Sequence, residues 1–392
     1  MIAEKMQKLV NNNLTIRQMF EEGKRLKQQY GEENVYDFSL GNPSVEPPIQ
    51  VNEAVHKYVE DENIHAYMSN GGYEEVRKKI ANSLNKNFET NYTEKNIIMS
   101  VGAAGGLNVV LKTILNPEEE VIVFVPYFME YRDYIENYGG KIVEVLCHEN
   151  FEPNLEDFEK KINSKTKAII INSPNNPSGI IYSEEVIKEL TDILRKKEKE
   201  FHQTIYLISD EPYRQIVYDN HKVPYLTKYY DDTIVVYCYS KSLSIPGERI
   251  GYIAVANEVN DSEDVILGCT IATRILGFVN APSLMQKVIS ECLEITSDMS
   301  EYEQNRDILY DGLVKCGYEC QKPQGTFYLF LKSPIENEKE FCSIAKKYHI
   351  LMVPGSSFSY PGYVRLAFCT KSSIVQNSIQ KFKELMEEIN HE

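Results

Sequence analysis

Lys241 stands in the run Tyr239-Ser240-Lys241-Ser242-Leu243-Ser244-Ile245-Pro246-Gly247-Glu248-Arg249, directly after the apolar, β-prone stretch Thr233–Tyr239. A lysine at the mouth of a buried strand is partly desolvated. Its pKa falls, and the neutral amine can attack a carbonyl to form an imine. By itself the segment also fits a surface lysine. Four other strand ends carry chemistry that gives Lys241 a context. Val101-Gly102-Ala103-Ala104-Gly105-Gly106 follows one strand, and small residues at a strand-to-helix turn let backbone N–H groups approach an anion. Pro126-Tyr127-Phe128 follows another and offers a ring to stack on a planar ligand. Asn172-Ser173-Pro174-Asn175-Asn176-Pro177-Ser178-Gly179 is a rigid turn with exposed amides. Asp210-Glu211-Pro212-Tyr213 places a carboxylate where solvation is poor and a cationic partner is needed, with a phenol three residues on. Arg249 supplies a fork of donors suited to phosphate. The plain alternatives are a tight loop at Asn176, a helix cap at Asp210 and a structural ion pair at Arg249. Jointly these groups call for an aldehyde, a protonated ring nitrogen, a phenolic oxygen and a phosphate, which is the description of pyridoxal 5′-phosphate.

The elements that must position these groups alternate. Candidate strands are 97–100, 121–125, 141–145, 167–171, 205–209, 233–239 and 250–255, with helices at 106–115, 127–138 and 183–199 between the earlier ones. Ser183 followed by Glu184-Glu185 is a strong helix start. Such βαβ alternation predicts an α/β fold with a mostly parallel, doubly wound sheet, and ligands bind beyond the carboxyl ends of such strands. The short polar loop between the last two strands predicts that one is antiparallel. From Pro282 the pattern changes to one long helix over 283–316, a strand at 326–331, a helix near 338–347, a strand near 363–368 and a terminal helix over 373–389. This predicts a smaller α+β domain made of 1–45 and 282–392, beside a large domain over 46–281.

The chain has 392 residues and 58 acidic against 42 basic groups, for a net charge of −16. That balance disfavours nucleic acid and anionic membranes as partners. No segment resembles a signal peptide or a membrane span. The eight cysteines are scattered and only Cys316 and Cys320 lie close, so no metal site is expected and a reducing, cytoplasmic compartment is.

These residues resemble the class I/II aminotransferases, the aspartate aminotransferase fold of pyridoxal-phosphate enzymes, over nearly the whole chain. The resemblance is carried by Ser240-Lys241 with Arg249 and Gly251, by Asn176-Pro177-Ser178-Gly179, and by Asp210-x-x-Tyr213. Tyr67 to Arg77, Val353-Pro354-Gly355-Ser356-Ser357-Phe358 and Tyr363-Val364-Arg365-Leu366-Ala367-Phe368 extend it. It implies a three-layer fold around a seven-stranded, mostly parallel sheet. Lys241 would hold the cofactor as an imine and act as the base, and Asp210 would pair with the ring nitrogen. Tyr213 and Asn176 would bond the ring oxygen, and Phe128 would stack on the ring. Ser240, Arg249 and the Gly102-Ala103-Ala104 backbone would grip the phosphate. Tyr67 would reach the phosphate of a neighbouring subunit, which implies a homodimer. Arg365 would bind the substrate α-carboxylate, helped by Asn176 and the Gly41 backbone. Arg274 is a candidate for the distal group of the substrate, and an ordinary structural arginine is the alternative. Cys238 stands where the family usually has Ser or Thr, which puts one phosphate contact in doubt. The implied activity is ping-pong transamination, with aspartate and 2-oxoglutarate the first substrates to try. A carbon–sulfur β-lyase or decarboxylase shares the cofactor residues, and a non-catalytic regulatory protein on the same scaffold is the alternative outside enzymes.

Overall fold

The structure, a computed structural model, describes residues 2–391, the side chains of residues 8 and 11–21 excepted. The chain opens with helix α1 (Glu4–Tyr30) and a short strand β1 (Tyr36–Asp37), followed by α2 (Ile49–Val59) and α3 (Glu74–Phe88). Then comes the alternating block: β2 (Ile97–Ser100), α4 (Gly102–Ile114), β3 (Glu120–Val125), α5 (Glu130–Asn137), β4 (Lys141–Leu146), α6 (Leu155–Lys161), β5 (Thr166–Asn172), α7 (Glu184–Phe201), β6 (Tyr206–Asp210), β7 (Thr233–Cys238) and β8 (Gly251–Val255). The remainder comprises α8 (Ser262–Ile275), α9 (Ser283–Ile289), α10 (Ser300–Lys315), β9 (Tyr328–Lys332), α11 (Glu338–Ala345), β10 (Ile350–Leu351), β11 (Val353–Pro354), β12 (Tyr363–Ala367) and α12 (Ser372–His391).

Seven strands form one sheet in the order β2-β8-β7-β6-β5-β3-β4. All neighbours are parallel except β8, which runs against both β2 and β7. The chain returns from β7 to β8 through a short loop without a crossover helix, and that forces the reversal. Strands β5, β6 and β7 are buried along almost their whole length because helices cover both faces of the sheet. One apolar cluster joins α3, α4 and α8 to the sheet, and another packs α6 and α7 on strands β3 to β6.

A second core gathers the C-terminal elements, where β11, β12 and β9 form an antiparallel sheet. The N-terminal segment joins it: β1 pairs in parallel with β10, and Ala367 N–H donates to Phe38 O at 2.8 Å. The single long helix expected over 283–316 is instead two helices, α9 and α10, with residues 290–299 between them. Ser297 N–H is drawn away to Ser242 O at 2.8 Å, and Asp298 accepts from Ser300 N–H at 2.9 Å where α10 begins. Both bonds compete with the helical ladder. The break also ties this segment to the loop that carries Lys241.

Candidate active site

A cavity of about 340 Å³ lies at the carboxyl ends of β5, β6 and β7, against the start of α4. The placement follows from the sheet: Asn172 and Asp210 are register partners at the ends of β5 and β6, and Cys238 ends β7 next to Ser240 and Lys241. Asn172 Nδ2 donates to Asp210 O at 3.0 Å, and its Oδ1 accepts from Asn176 N–H at 2.8 Å, so one amide fixes both turns.

Lys241 Nζ donates to Gly41 O at 2.8 Å and lies 5.3 Å from the centre of the Phe327 ring. Burial holds its pKa below that of a free lysine, with the Arg365 and Arg249 charges adding to that direction against the nearby thiols. Gly41 is needed as glycine: a Cβ there would fall 1.9 Å from the Tyr328 hydroxyl. Asp210 is buried. One oxygen accepts a hydrogen bond from the Tyr131 hydroxyl, while Oδ1 has no partner among the described residues. Burial pushes its pKa up to about 7, despite the Tyr131 bond. The Tyr213 hydroxyl meets the Tyr328 hydroxyl at 3.2 Å, and burial raises its pKa well above that of a free phenol.

Arg365, on β12, is buried and sandwiched between the Tyr328 and Phe358 rings at 4.4 and 4.8 Å. Nη1 donates to Asn176 Oδ1 at 3.1 Å and Nη2 to Ser39 O at 2.9 Å, and Nε is buried without a partner. The stacking and the two neutral acceptors hold the guanidinium flat, and it forms no ion pair among the described residues, which is the state of a site for a carboxylate.

At the other end of the cleft, Gly102 takes φ +68° at the start of α4, and a Cβ there would lie 2.7 Å from Arg249 Nη2. Arg249 also takes a positive φ, of 52°, and its Nη1 donates to Pro246 O at 2.9 Å. A guanidinium is thus pressed against a helix N-terminus. Two positive ends face each other, and an anion between them relieves both. Ala103, Ala104, Ser240 and Cys238 line the same end. Phe128 lies on the wall, edge-on to Tyr131 with ring centres 5.6 Å apart.

The cleft therefore gathers Gly41, Ala103, Ala104, Phe128, Asn176, Asp210, Tyr213, Ser240, Lys241, Arg249 and Arg365, with Gly102 directly behind Arg249. Two expected residues lie outside it. Tyr67 is 91% exposed, and Arg274 is exposed near the end of α8. Neither lines the cavity on this chain. Tyr328 and Glu130 line the cleft without having been singled out from the sequence, and Tyr131 stands against it, bonded to Asp210. Asn172, read from the sequence as the head of the Asn176 turn, ends β5 one residue beyond the predicted strand and lines the cleft. A larger groove of about 750 Å³, rich in tyrosines, opens beside α3 but contains neither Lys241 nor Asp210.

A family model described as "Aminotransferase class I and II" matches residues 33–382. The "Probable aspartate aminotransferase" of Methanocaldococcus jannaschii is 30% identical over 367 residues, 90% of this chain and 93% of that one. The "Probable aspartate/prephenate aminotransferase" of Aquifex aeolicus is 31% identical over 91% of this chain and 92% of its own. A solved amino transferase from Eubacterium rectale superposes with a TM-score of 0.96 at 43% identity, covering 99% of both chains. The aspartate aminotransferase of Thermotoga maritima gives a TM-score of 0.84 at 26% identity over 96% of each.

Proposed function

The chain belongs to the class I and II aminotransferases, and from that premise we propose that it uses pyridoxal 5′-phosphate to move an amino group between an L-amino acid and a 2-oxo acid. The observation that carries this reading is the pairing, in one cleft, of a part-buried lysine amine with a buried carboxylate oxygen that has no partner among the described residues. The residues fit the cofactor. Asp210 Oδ1 lacks a donor that a protonated ring nitrogen supplies, and the Gly102–Arg249 contact forms a cradle for a phosphate. Bound there, pyridoxal phosphate supplies an aldehyde that exchanges imines with amines and a cationic ring that takes up electron density.

The chain's own groups do the rest. Asp210 ionises against the ring cation, because a buried charge is tolerable when it is paired. Burial lowers the pKa of Lys241, which eases release of its proton, so Nζ can carry a proton to and from the substrate's Cα. Arg365 orients the α-carboxylate with its spare N–H groups. Phe128 covers the ring and keeps water from it. Cys238 gives the phosphate a weaker donor than the hydroxyl usual in the family.

Aspartate with 2-oxoglutarate is the first pair to assay, since several relatives carry that name. A homodimer is part of the same reading. Leu267, Ile271 and Ile275 make an exposed apolar stripe on α8, and Asn70 and Asn280 tie the Tyr67 loop to the segment just beyond that helix. Tyr67 and Arg274 would then face a second copy. The large unit over 46–281, the small unit from 1–45 and 282–392, and a cytoplasmic location belong to it too. Among the described residues no helix is long and apolar enough to cross a membrane.

The test is the first half-reaction: mixing the cofactor-loaded protein with amino acids one at a time should convert its absorbance to that of pyridoxamine phosphate, with release of one 2-oxo acid. Lys241→Ala should slow that conversion by about a thousandfold or more. Release of ammonia with pyruvate, and no pyridoxamine phosphate, would make the protein a lyase.

A further inference from the structure

One carboxyl in the cleft has no part in the roles above. Glu130 opens α5, two residues beyond Phe128, and lines the same cavity as Lys241 and Arg365. Its Oε2 is buried and has no hydrogen-bond partner among the described residues. Burial pushes its pKa up, while its own backbone N–H and the Arg365 charge pull it back. Glu130 and Arg365, the guanidinium that takes the substrate's α-carboxylate, line one cavity. No salt bridge joins the two.

The basic side chains lining the cleft are Lys241, Arg249 and Arg365, and each is committed: to the amine chemistry, to the phosphate and to the α-carboxylate. A second carboxylate on the substrate therefore finds no uncommitted basic group lining the cleft on this chain, and the same cavity wall carries Glu130. A neutral or cationic group that carries N–H or O–H donors meets an acceptor that lacks one. A buried acceptor left unpaired is unfavourable until a donor arrives, and like charges brought together in a poorly solvated space repel.

We propose that Glu130 is a specificity-determining residue that accepts a hydrogen bond from a donor-bearing substrate side chain, such as a carboxamide, and disfavours a side-chain carboxylate. This rests on the aminotransferase reading of the cleft and ranks substrates within it. Asparagine, the isostere of aspartate, becomes the better donor of the two, and a dicarboxylic oxo acid meets the same restraint.

The experiment uses the full-length, cofactor-loaded protein and two ligands of equal size that need no turnover: succinate and its half-amide, succinamate. Calorimetric dissociation constants are measured for the wild type, Glu130→Gln and Glu130→Ala, with thermal melts to confirm that each is folded. The wild type should bind succinamate about tenfold tighter than succinate, and both variants should reduce that preference to about twofold or less. Half-reaction rates with aspartate and asparagine should follow the same order. Equal or tighter binding of succinate by the wild type would overturn the proposal, and a cation delivered by a second copy, such as Arg274, would produce that result. A preference unchanged in both variants would overturn it as well. If no amino acid converts the cofactor while the variants still shift the succinamate preference, transamination fails and the role of Glu130 as a carboxylate-excluding group stands.

Discussion

Asp210 ends its strand with one carboxylate oxygen bonded to Tyr131 and the other bonded to nothing among the described residues. Burial raises its pKa from 3.8 to about 7 in the protein without cofactor. Between those values the folded chain holds a proton that the unfolded chain has released, so stability falls as pH rises from about 4 to 7. The full effect is on the order of 4 kcal/mol, at about 1.4 kcal/mol per pKa unit. Asp210→Asn removes it: in cofactor-free protein the variant should gain stability relative to wild type as pH is raised through this window, by urea unfolding at pH 4.5, 6 and 7.5. A constant difference across the three would contradict the assignment. Lys241 and Asp210 could be read from the chain because each directly follows a run of buried β-formers. Their partners could not. Tyr131 lies 79 residues from Asp210, and Tyr328 lies 115 from Tyr213. Among 27 tyrosines nothing local distinguishes these two.

Elements were recoverable where burial imposes a pattern. The seven sheet strands differ from the predicted spans by a residue or so at their ends, because doubly covered strands are continuous apolar runs. The 290–299 break was not visible because its cause is a distant acceptor, Ser242 O. Helix α8 was also missed. Its outer face is apolar at Leu267, Ile271 and Ile275, so it lacks the polar side that marks a surface helix. That face has a consequence at this scale. These three side chains are about half exposed, and covering what remains is worth roughly 1 kcal/mol each, which a second copy would recover. Wild type should sediment as a dimer, and Ile271→Glu should shift it toward monomer at micromolar concentration. A wild-type protein that is monomeric at all concentrations would remove the shared-site reading of Tyr67 and Arg274.

Across the whole molecule, the cleft is a meeting of distant segments. Gly41 from the N-terminal stretch, Asn176 and Lys241 from the sheet ends, and Arg365 from the C-terminal sheet are joined by direct bonds spanning 189 and 200 residues. Arg365 also reaches Ser39 O across 326 residues. The seven-stranded sheet supplies the amine and the carboxylate, and the C-terminal sheet supplies the guanidinium, so neither part makes the site alone. The chain is acidic overall, yet this cavity holds the Arg249 and Arg365 guanidiniums, which would draw a small anionic substrate into it. The most direct measurement is borohydride reduction of the protein after saturation with pyridoxal phosphate, followed by peptide mass analysis. One stable phosphopyridoxyl group should appear on Lys241 and vanish in Lys241→Arg. No adduct, or an adduct on another lysine that persists in that variant, would contradict the account.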